Sequence, residues 1–319
     1  MSTIHTSNPS VELSKEVLHS EEATNFSENY DRAPFTFSHN LLGHPLFELP
    51  RLITLAESIA NRGDKEKIFC GLNKIPVQQK WANWPLKQQV SEALRHIEES
   101  NAWVLLVDVQ VDPEYAALLE QILAELENFT KRPLRQEIIW VGAYIFVASP
   151  HSITPYHIDS EVNFLFQIHG DKENSVFNPN DRSILSEQEI EQFYMGNVGA
   201  ATYREEIQAK ANIYHLTAGK GIHQPTLAPH WVQTGDQYSV ALSVLFYTEA
   251  SISQAYVYQA NHYLRKLGLT PHPPGKSKFV DRLKGASIEL FSKRNPQTKA
   301  EIIRSGITRI NSLTNGLKI

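Results

Sequence analysis

The sequence predicts a mainly β protein with helical flanks (α+β), whose core is a double-stranded β-helix, or jelly roll. The first observation is a set of β-rich runs between Gln136 and Thr248, EIIWVGAYIFVA, NFLFQIH, ANIYHLTA and YSVALSVLFYT, which turn-forming residues separate. The second is that helical patterns precede and follow these runs, instead of alternating with them as in a doubly wound sheet. A double antiparallel sheet of this kind encloses a ligand cavity between its faces.

The chain of 319 residues is expected to divide into three parts. Residues 1–33 are polar, acidic and without apolar periodicity, so we expect a disordered or loosely docked arm. Residues 34–250 are expected to form the jelly-roll domain together with its N-terminal helices. Residues 251–319 are expected to form a basic helical region.

Three helices are expected before the β-rich part. The segment from Pro50 to Gly63 has its apolar residues on one face and proline near its first turn. A second helix is expected from Leu86 to Glu99. A third is expected up to Leu126, with Asp112 as its N-cap and Pro113 at its first position.

Further helices are expected within and after the β-rich part. The spacing of Ser186 and Glu189 is that of a capping box, which predicts a helix from Ser186 to Met195. After Glu249 the patterns are helical again, and the last helix has an apolar stripe that ends near Leu313. This stripe is expected to pack on the core or against a second copy of the chain.

Charge is distributed unevenly along the sequence. The net charge is -5, from 30 basic and 35 acidic residues, which argues against general nucleic-acid affinity. Residues 255–319, however, contain twelve Lys or Arg and three acidic residues, a net charge of about +9. We expect the solvated faces of amphipathic helices here, with a polyanion-binding surface as the alternative.

The composition limits the cellular compartment and the kind of metal site that can be expected. No apolar run reaches the roughly 20 residues of a bilayer crossing, and the first residues lack the apolar segment of a secretory signal. A cytoplasmic protein is therefore expected. Because Cys70 is the single cysteine, any metal must be held by histidine and carboxylate.

The sharpest motif is Thr154-Pro155-Tyr156-His157-Ile158-Asp159. Residues two apart on a strand point to the same face, so His157 and Asp159 can both face the cavity. With one more histidine they would form a facial triad for Fe(II). A second copy of the pattern, His169-Gly170-Asp171, lies at a glycine turn and is expected to face solvent.

The third ligand is expected near the last strands, where His215, His223 and His230 are candidates. We favour His230, because it follows a proline-rich loop at the start of a strand that precedes the closing strand. His223 remains the main alternative. A histidine beside tyrosine or proline in a β protein is more often a hydrogen-bonded core or rim residue.

Residues 136–248 resemble the JmjC and cupin-like Fe(II)/2-oxoglutarate-dependent oxygenases. The stretch TPYHIDSEVNFLFQIHGDKENSVFNPND is similar to the asparaginyl hydroxylase that acts on hypoxia-inducible factor. In that family a threonine stands three residues before the first metal histidine, an asparagine six after it and a lysine fifteen after it. Thr154, Asn163 and Lys172 occupy those places here relative to His157.

The resemblance implies a co-substrate site. Lys172 would pair with the distal carboxylate of 2-oxoglutarate, which would be costly to leave unpaired in an apolar cavity. Thr154 and Tyr144 would add hydroxyl donors, and Asn163 is the fourth residue that the resemblance assigns to cofactor binding. One departure from the asparaginyl hydroxylase is that LSVLFYT offers Ser243 or Val244 where that enzyme has a further asparagine.

The expected function is that of a 2-oxoglutarate-dependent dioxygenase that hydroxylates a C–H bond of an amino-acid side chain. Fe(II), 2-oxoglutarate and dioxygen are its expected cofactors and co-substrates, and a protein, a peptide or a small metabolite is its expected substrate. Related oxygenases often dimerise through C-terminal helices, so a homodimer is expected. The alternatives are a non-catalytic cupin-like regulatory or nucleic-acid-associated protein, and a cupin isomerase with another divalent metal.

Overall fold

The computed structural model describes residues 16–64, 67–80, 90–294, 296 and 298–314. Its helices are α1 (Ala23–Asn29), α2 (Leu49–Asn61), α3 (Val90–Arg95), α4 (Pro113–Thr130), α5 (Leu134–Glu137), α6 (Glu187–Tyr194), α7 (Glu249–Lys266), α8 (Lys278–Glu289) and α9 (Lys299–Thr314). Its strands are β1 (Phe35–Ser38), β2 (Ile68–Leu72), β3 (Ala102–Leu106), β4 (Ile138–Ala148), β5 (Ile153–His157), β6 (Val162–His169), β7 (Asp171–Val176), β8 (Asn212–Thr217), β9 (Lys220–Gln224), β10 (His230–Thr234) and β11 (Ser239–Thr248).

Two antiparallel sheets form the core. The larger has the strand order β1-β9-β6-β11-β4-β3-β2, and the smaller has the order β5-β10-β7-β8. From β4 to β11 the chain therefore passes repeatedly from one sheet to the other, as it does in a jelly roll. The predicted double-stranded β-helix with helical flanks is confirmed.

The larger sheet is buried on both faces. One face, which includes Phe164 on β6 and Val244 on β11, packs in the main core with residues of α2 and α4. Because side chains alternate along a strand, Asn163 and Ser243 point the other way, toward the smaller sheet. The inner face is therefore available for polar groups, although all of β11 is buried.

The predicted flanking helices are found with small changes of boundary. In α4 the side chain of Asp112 accepts a hydrogen bond from the backbone N–H of Glu114, and the helix extends to Thr130 instead of Leu126. The capping box of Ser186 and Glu189 begins α6. A helix was predicted from Leu86 to Glu99, and α3 is its helical part among the described residues. It ends at Arg95, because residues 96–99 form turns, and residues 81–89 lie outside the described residues.

The structure corrects the expectation of a loose arm for residues 16–33. Phe26 of α1 is fully buried, and its ring lies 5.0 Å from Phe35 and 5.4 Å from Phe129, measured between centroids. The backbone N–H groups of Val17 and Leu18 donate hydrogen bonds to the carboxylate of Glu125. A few aromatic and backbone contacts thus hold a polar segment in place; residues 1–15 lie outside the described residues.

The C-terminal part is helical, as predicted. Its last helix, α9, buries Ile302, Ile303 and Ile307, while Leu313 is 64% exposed. The amide of Gln259 on α7 donates a hydrogen bond to the carbonyl of Ile303, which ties the two helices together. Most of the apolar stripe is therefore packed within the same chain. Among the described residues, no helix combines the length and the apolar character that crossing a membrane would require.

Candidate metal centre

Two histidines lie side by side where β5 ends and the neighbouring strand β10 begins. His157 is the last residue of β5 and His230 is the first of β10, and the two are register partners in this antiparallel pair. A register shift follows between His230 and Val232. The imidazole centroids lie 4.1 Å apart, so the pairing of the two strands brings together residues that are 73 positions apart in the sequence.

Asp159 completes the cluster from the loop after β5. Its Oδ2 atom lies 3.9 Å from Nε2 of His157 and 3.8 Å from Nε2 of His230. One ligand atom from each of the three residues can be chosen so that all lie within 4.8 Å of one another. An imidazole pair and a carboxylate converging at this distance can hold a divalent metal ion.

The tautomers of both histidines are fixed by their own backbone. Nδ1 of His157 donates to the carbonyl of Pro155 at 2.7 Å, and Nδ1 of His230 donates to the carbonyl of Ala228 at 3.0 Å. A carbonyl oxygen only accepts, so in the neutral imidazoles the lone pair is on Nε2. Metal-binding histidines are commonly oriented in this way, and both Nε2 atoms here face Asp159.

The spacing of the ligand atoms is slightly wider than in a metal complex. Two ligands about 2.1 Å from one ion and at right angles to each other are about 3 Å apart. The observed distances of 3.8 and 3.9 Å are under an ångström longer. Asp159 lies in the loop between β5 and β6 and its side chain is 37% exposed, so a small rotation of the carboxylate can close the gap.

The electrostatics also suit a cation. The pKa of the Asp159 carboxyl is lowered: burial opposes ionisation, but His157, His230 and the ammonium of Lys299 outweigh it. The pKa of His230 is lowered to about 4, mainly by burial and then by the neighbouring His157. At neutral pH the cluster therefore offers a carboxylate and a neutral imidazole on His230.

The other candidate histidines lie elsewhere. His223 is fully buried, its Nδ1 donates to the carbonyl of Asn163 at 3.0 Å, and its Nε2 accepts from the backbone N–H of Asp31 at 2.9 Å. Both ring nitrogens are thus engaged, and burial lowers the pKa of His223 to about 3. His215 is exposed on β8, with Nδ1 3.6 Å from the carboxylate of Glu173.

The second motif, His169-Gly170-Asp171, is not part of a metal-binding cluster within the described residues. The ring of His169 stacks on Tyr238 with centroids 4.0 Å apart, and Asp171 is exposed. Gly170 has a φ of 69°, in the left-handed region that favours glycine, and turns the chain from β6 into β7.

A cavity of about 540 Å³ lies between the two sheets and contains the cluster. His157, Asp159 and His230 line it together with Lys172, and α9 contributes Lys299, Ile303 and Arg304. Glu161, which is buried, also lines it and forms an ion pair with Lys299. The start of α9 therefore closes one side of the space next to the three candidate ligands.

Lys172 is buried within this cavity. It is 7% exposed, and within the part of the chain that the structure describes its ammonium forms no hydrogen bond or ion pair. Burial alone lowers the pKa of Lys172 to about 7. A buried cation without a counter-ion is costly, which indicates a site for an anionic group.

The remaining predicted site residues also line the cavity. Thr154 Oγ1 accepts a hydrogen bond of 3.2 Å from Nε1 of Trp103. Asn163 accepts from Ser243 at 2.5 Å and donates to Gln224 at 3.1 Å. Tyr144 is on β4, and burial raises the pKa of its hydroxyl.

The structure also distinguishes Ser243 from Val244, the two residues of β11 that could stand in place of the further asparagine. Ser243 faces the cavity and contacts Asn163, whereas Val244 points into the main core. Sequence reasoning missed Asn174, Gln224 and Glu161, which also line the cavity. Asn174 could have been found, because it stands two residues after Lys172 on a strand and so shares its face. Gln224 carries no comparable signal.

Among the comparisons with known proteins, only the comparison with solved structures gives matches. No family model and no curated protein matches the chain. Similar solved structures include the Escherichia coli ribosomal oxygenase YcfD, with 14% identity and a TM-score of 0.48 over 95% of this chain and 69% of that chain. YcfD in complex with cobalt and 2-oxoglutarate matches at 12% identity and a TM-score of 0.43, over 95% and 69%. The case for a metal centre here therefore depends on the geometry of His157, Asp159 and His230.

Proposed function

We propose that this protein is an Fe(II)/2-oxoglutarate-dependent dioxygenase that hydroxylates a C–H bond of an amino-acid side chain. The substrate would be a protein, a peptide or a small metabolite. The observation that carries the proposal is one cavity that holds both a His-Asp-His cluster and a buried lysine, which has no counter-ion among the described residues. The first suits ferrous iron, and the second suits the carboxylate of a keto acid.

The candidate ligands leave room for other groups. His157, Asp159 and His230 would occupy one side of the metal ion and leave its other positions open toward the cavity. When bound, iron, 2-oxoglutarate and dioxygen supply the oxidising chemistry, with succinate and carbon dioxide as co-products. The chain's own part is to hold these groups, orient the substrate and exclude water.

The part of the cavity around Lys172 suits the distal carboxylate of 2-oxoglutarate. Lys172 would pair with it, and the hydroxyls of Thr154 and Tyr144 are the additional donors proposed from the resemblance. Thr154 is held by Trp103, which itself lines the cavity. Most of the surrounding surface is apolar, so the ion pair between Lys172 and a carboxylate would be only weakly screened by water.

A direct test is succinate formation from 2-oxoglutarate in the presence of Fe(II), without added substrate. The wild-type protein is expected to produce succinate slowly, and Asp159→Ala is expected to abolish it because a ligand of the metal is lost. Asp171→Ala is the matched control, since it removes the exposed aspartate of the second His-x-Asp motif and should leave the rate unchanged.

Other outcomes identify the alternatives. Metal binding without any dependence on 2-oxoglutarate would favour a cupin isomerase. Absence of succinate, with salt-sensitive retention of DNA or RNA that requires residues 255–319, would favour a nucleic-acid-associated protein. Either result would overturn the dioxygenase proposal.

We also propose that two copies associate through the C-terminal helices. The groove between α7, α8 and α9 has a volume of about 540 Å³ and is lined by Leu264, Leu267 and Leu283 among others. Leu283 is 57% exposed and Leu267 is 68% exposed, and a cluster of exposed apolar side chains is typical of an interface.

Sedimentation velocity tests this association. The wild-type chain is expected to sediment as a dimer and Leu283→Asp as a monomer. Leu42→Asp is the control, because Leu42 is 64% exposed but lies in the loop after β1. A wild-type protein that stays monomeric at tens of micromolar would contradict the proposal.

A further inference from the structure

We propose that Asn174 is a further binding residue for the co-substrate, whose amide Nδ2 donates to the same carboxylate that Lys172 pairs with. The inference deepens the proposed function and rests on it, because it takes a dicarboxylate such as 2-oxoglutarate as the ligand. It concerns a residue that neither the sequence motif nor the resemblance singles out.

The position of Asn174 follows from the register of the smaller sheet. Within β7, Lys172 and Asn174 are both buried and both line the cavity, while Glu173 between them is half-exposed. Across the strand pair, Lys172 is opposite Thr234, Asn174 is opposite Val232, and Val176 is opposite His230. Asn174 therefore lies one inward-facing position from Lys172, on the side toward the candidate metal centre.

The amide of Asn174 has no hydrogen-bond partner in the described part of the chain. The residue has no exposed surface, and neither Nδ2 nor Oδ1 forms a hydrogen bond within the described residues. Leaving a buried polar group unsatisfied typically costs about 1–3 kcal/mol per group. Because buried side-chain amides in folded proteins are nearly always bonded, this one indicates a missing partner.

The amide of Asn163 shows that a buried amide at this cavity can form hydrogen bonds within the chain. Asn163, on the opposite wall, accepts from Ser243 and donates to Gln224. The Nε2 atom of Gln224 is buried and, like the amide of Asn174, without a partner among the described residues. The ammonium of Lys172 and the amide nitrogens of Asn174 and Gln224 are thus donors on the cavity wall without partners among the described residues.

Donors that lack partners call for a ligand that supplies acceptors. A carboxylate has about four acceptor sites, so one carboxylate can pair with the ammonium of Lys172 and accept from Nδ2 of Asn174 together. Residues two apart on a strand are separated by about 6.6 Å along it, which the long lysine side chain spans. The Oδ1 atom of Asn174 then remains as an acceptor for the Lys172 ammonium.

The test measures stability and binding in the same variants. Asn174→Leu replaces the amide by an apolar group of similar shape. Without ligand, its midpoint of urea unfolding is expected to rise, because an unsatisfied buried amide is removed. Its affinity for 2-oxoglutarate is expected to fall about ten- to hundredfold, measured by calorimetry on Mn(II)-loaded protein without oxygen.

A second variant and a control complete the experiment. Asn174→Asp keeps the shape and replaces the donor by a carboxylate oxygen, so 2-oxoglutarate binding is expected to fall at least as far. Tyr156→Phe is the control: the Tyr156 hydroxyl is buried and without a hydrogen-bond partner among the described residues, but it lies outside the cavity. This variant should gain stability and keep its affinity.

The outcomes distinguish a failure of this inference from a failure of the proposed function on which it rests. If the wild type binds 2-oxoglutarate and both Asn174 variants bind it equally well, Asn174 is not a binding residue. A loss of stability in Asn174→Leu would also overturn the inference, because it would mean that the amide serves the fold. If the wild type binds no 2-oxoglutarate in the presence of metal, the proposed function itself fails.

Discussion

His157 and His230 are register partners in the antiparallel pair β5–β10, and their imidazole centroids are 4.1 Å apart. Directly opposed residues in neighbouring strands have the closest side chains of any non-local pair in a sheet. The two histidines of the candidate metal centre are therefore placed by strand pairing, and Asp159 joins them from the loop that follows β5. The two histidines lie on a stable element, as a preorganised metal site requires.

The first prediction concerns the third ligand. His230→Ala is expected to reduce Co(II) affinity at least tenfold, because it removes one of three ligands, and the measurement is a titration followed by the visible absorption of Co(II). His215→Ala is the control, since that imidazole is exposed on β8. Unchanged Co(II) binding in His230→Ala would remove His230 from the centre.

His223 is expected to behave differently from both. It is buried with both ring nitrogens hydrogen-bonded, so His223→Ala should lower the midpoint of urea unfolding and leave one Co(II) bound per chain. The loss is expected to be about 2–5 kcal/mol, as for other large-to-small core substitutions. A variant that folds normally and binds no metal would instead make His223 a ligand.

A pH dependence is expected from Lys172. Its folded-state pKa is lowered to about 7, so the ammonium that pairs with a carboxylate is lost as the pH rises through 7. The affinity for 2-oxoglutarate should then weaken up to about tenfold per pH unit above the pKa of Lys172. Calorimetry between pH 6 and 9 on Mn(II)-loaded protein measures this trend.

Stability without ligand should change in the opposite direction. Because the pKa of Lys172 is lowered on folding, its burial is most destabilising at and below pH 7, and this cost decreases as the pH rises toward the unfolded value near 10.4. Lys172→Met should therefore be more stable than the wild type at pH 7, with a smaller difference at pH 9. Lys266→Met, at an exposed position, should show neither effect.

The N-terminal segment is expected to contribute to global stability. Phe26 is fully buried among aromatic rings, so Phe26→Ala should lower the free energy of unfolding by about 3–5 kcal/mol. Urea denaturation followed by circular dichroism measures the change, with the exposed Glu28→Ala as control. An effect below about 0.5 kcal/mol would mean that the segment is only loosely attached.

The ion pair between Glu161 and Lys299 is expected to hold α9 against the cavity. The Glu161 side chain is 3% exposed and that of Lys299 is 43% exposed. Lys299→Met should destabilise the fold by roughly 1–3 kcal/mol, less than for a fully buried pair because the ammonium is partly solvated. Adding Glu161→Gln should restore much of the loss, since the carboxylate is then no longer charged.

A surface pair provides the comparison for this experiment. Lys293 and Glu301 are paired at 2.6 Å, and both side chains are at least one-third exposed. Lys293→Met should change the free energy of unfolding by at most about 1 kcal/mol. Equal effects of Lys299→Met and Lys293→Met would show that the pair at Glu161 has no special role.

Much of the fold could be predicted because its signals are local. The helical periods in α2 and α4, the Asp112 and Ser186 caps and the β-rich runs each depend on residues a few positions apart. The prediction of a loose arm was wrong for residues 16–33 because this segment has no such local signal. Its single buried aromatic, Phe26, gives no periodic signal, and its partners Phe129 and Phe164 are more than 100 residues away.

The sequence by itself determined the order of the elements and the two-residue spacing of His157 and Asp159, and its resemblance to the 2-oxoglutarate-dependent oxygenases singled out Lys172. Only the tertiary structure decided which histidine joins them, because that choice depends on the pairing of β5 with β10. It also decided that the amide of Asn174 and the Nε2 atom of Gln224 have no partner among the described residues, and that α9 covers the cavity. Short-range spacing is set along the chain, whereas contacts between distant strands and burial exist only once the two sheets have closed.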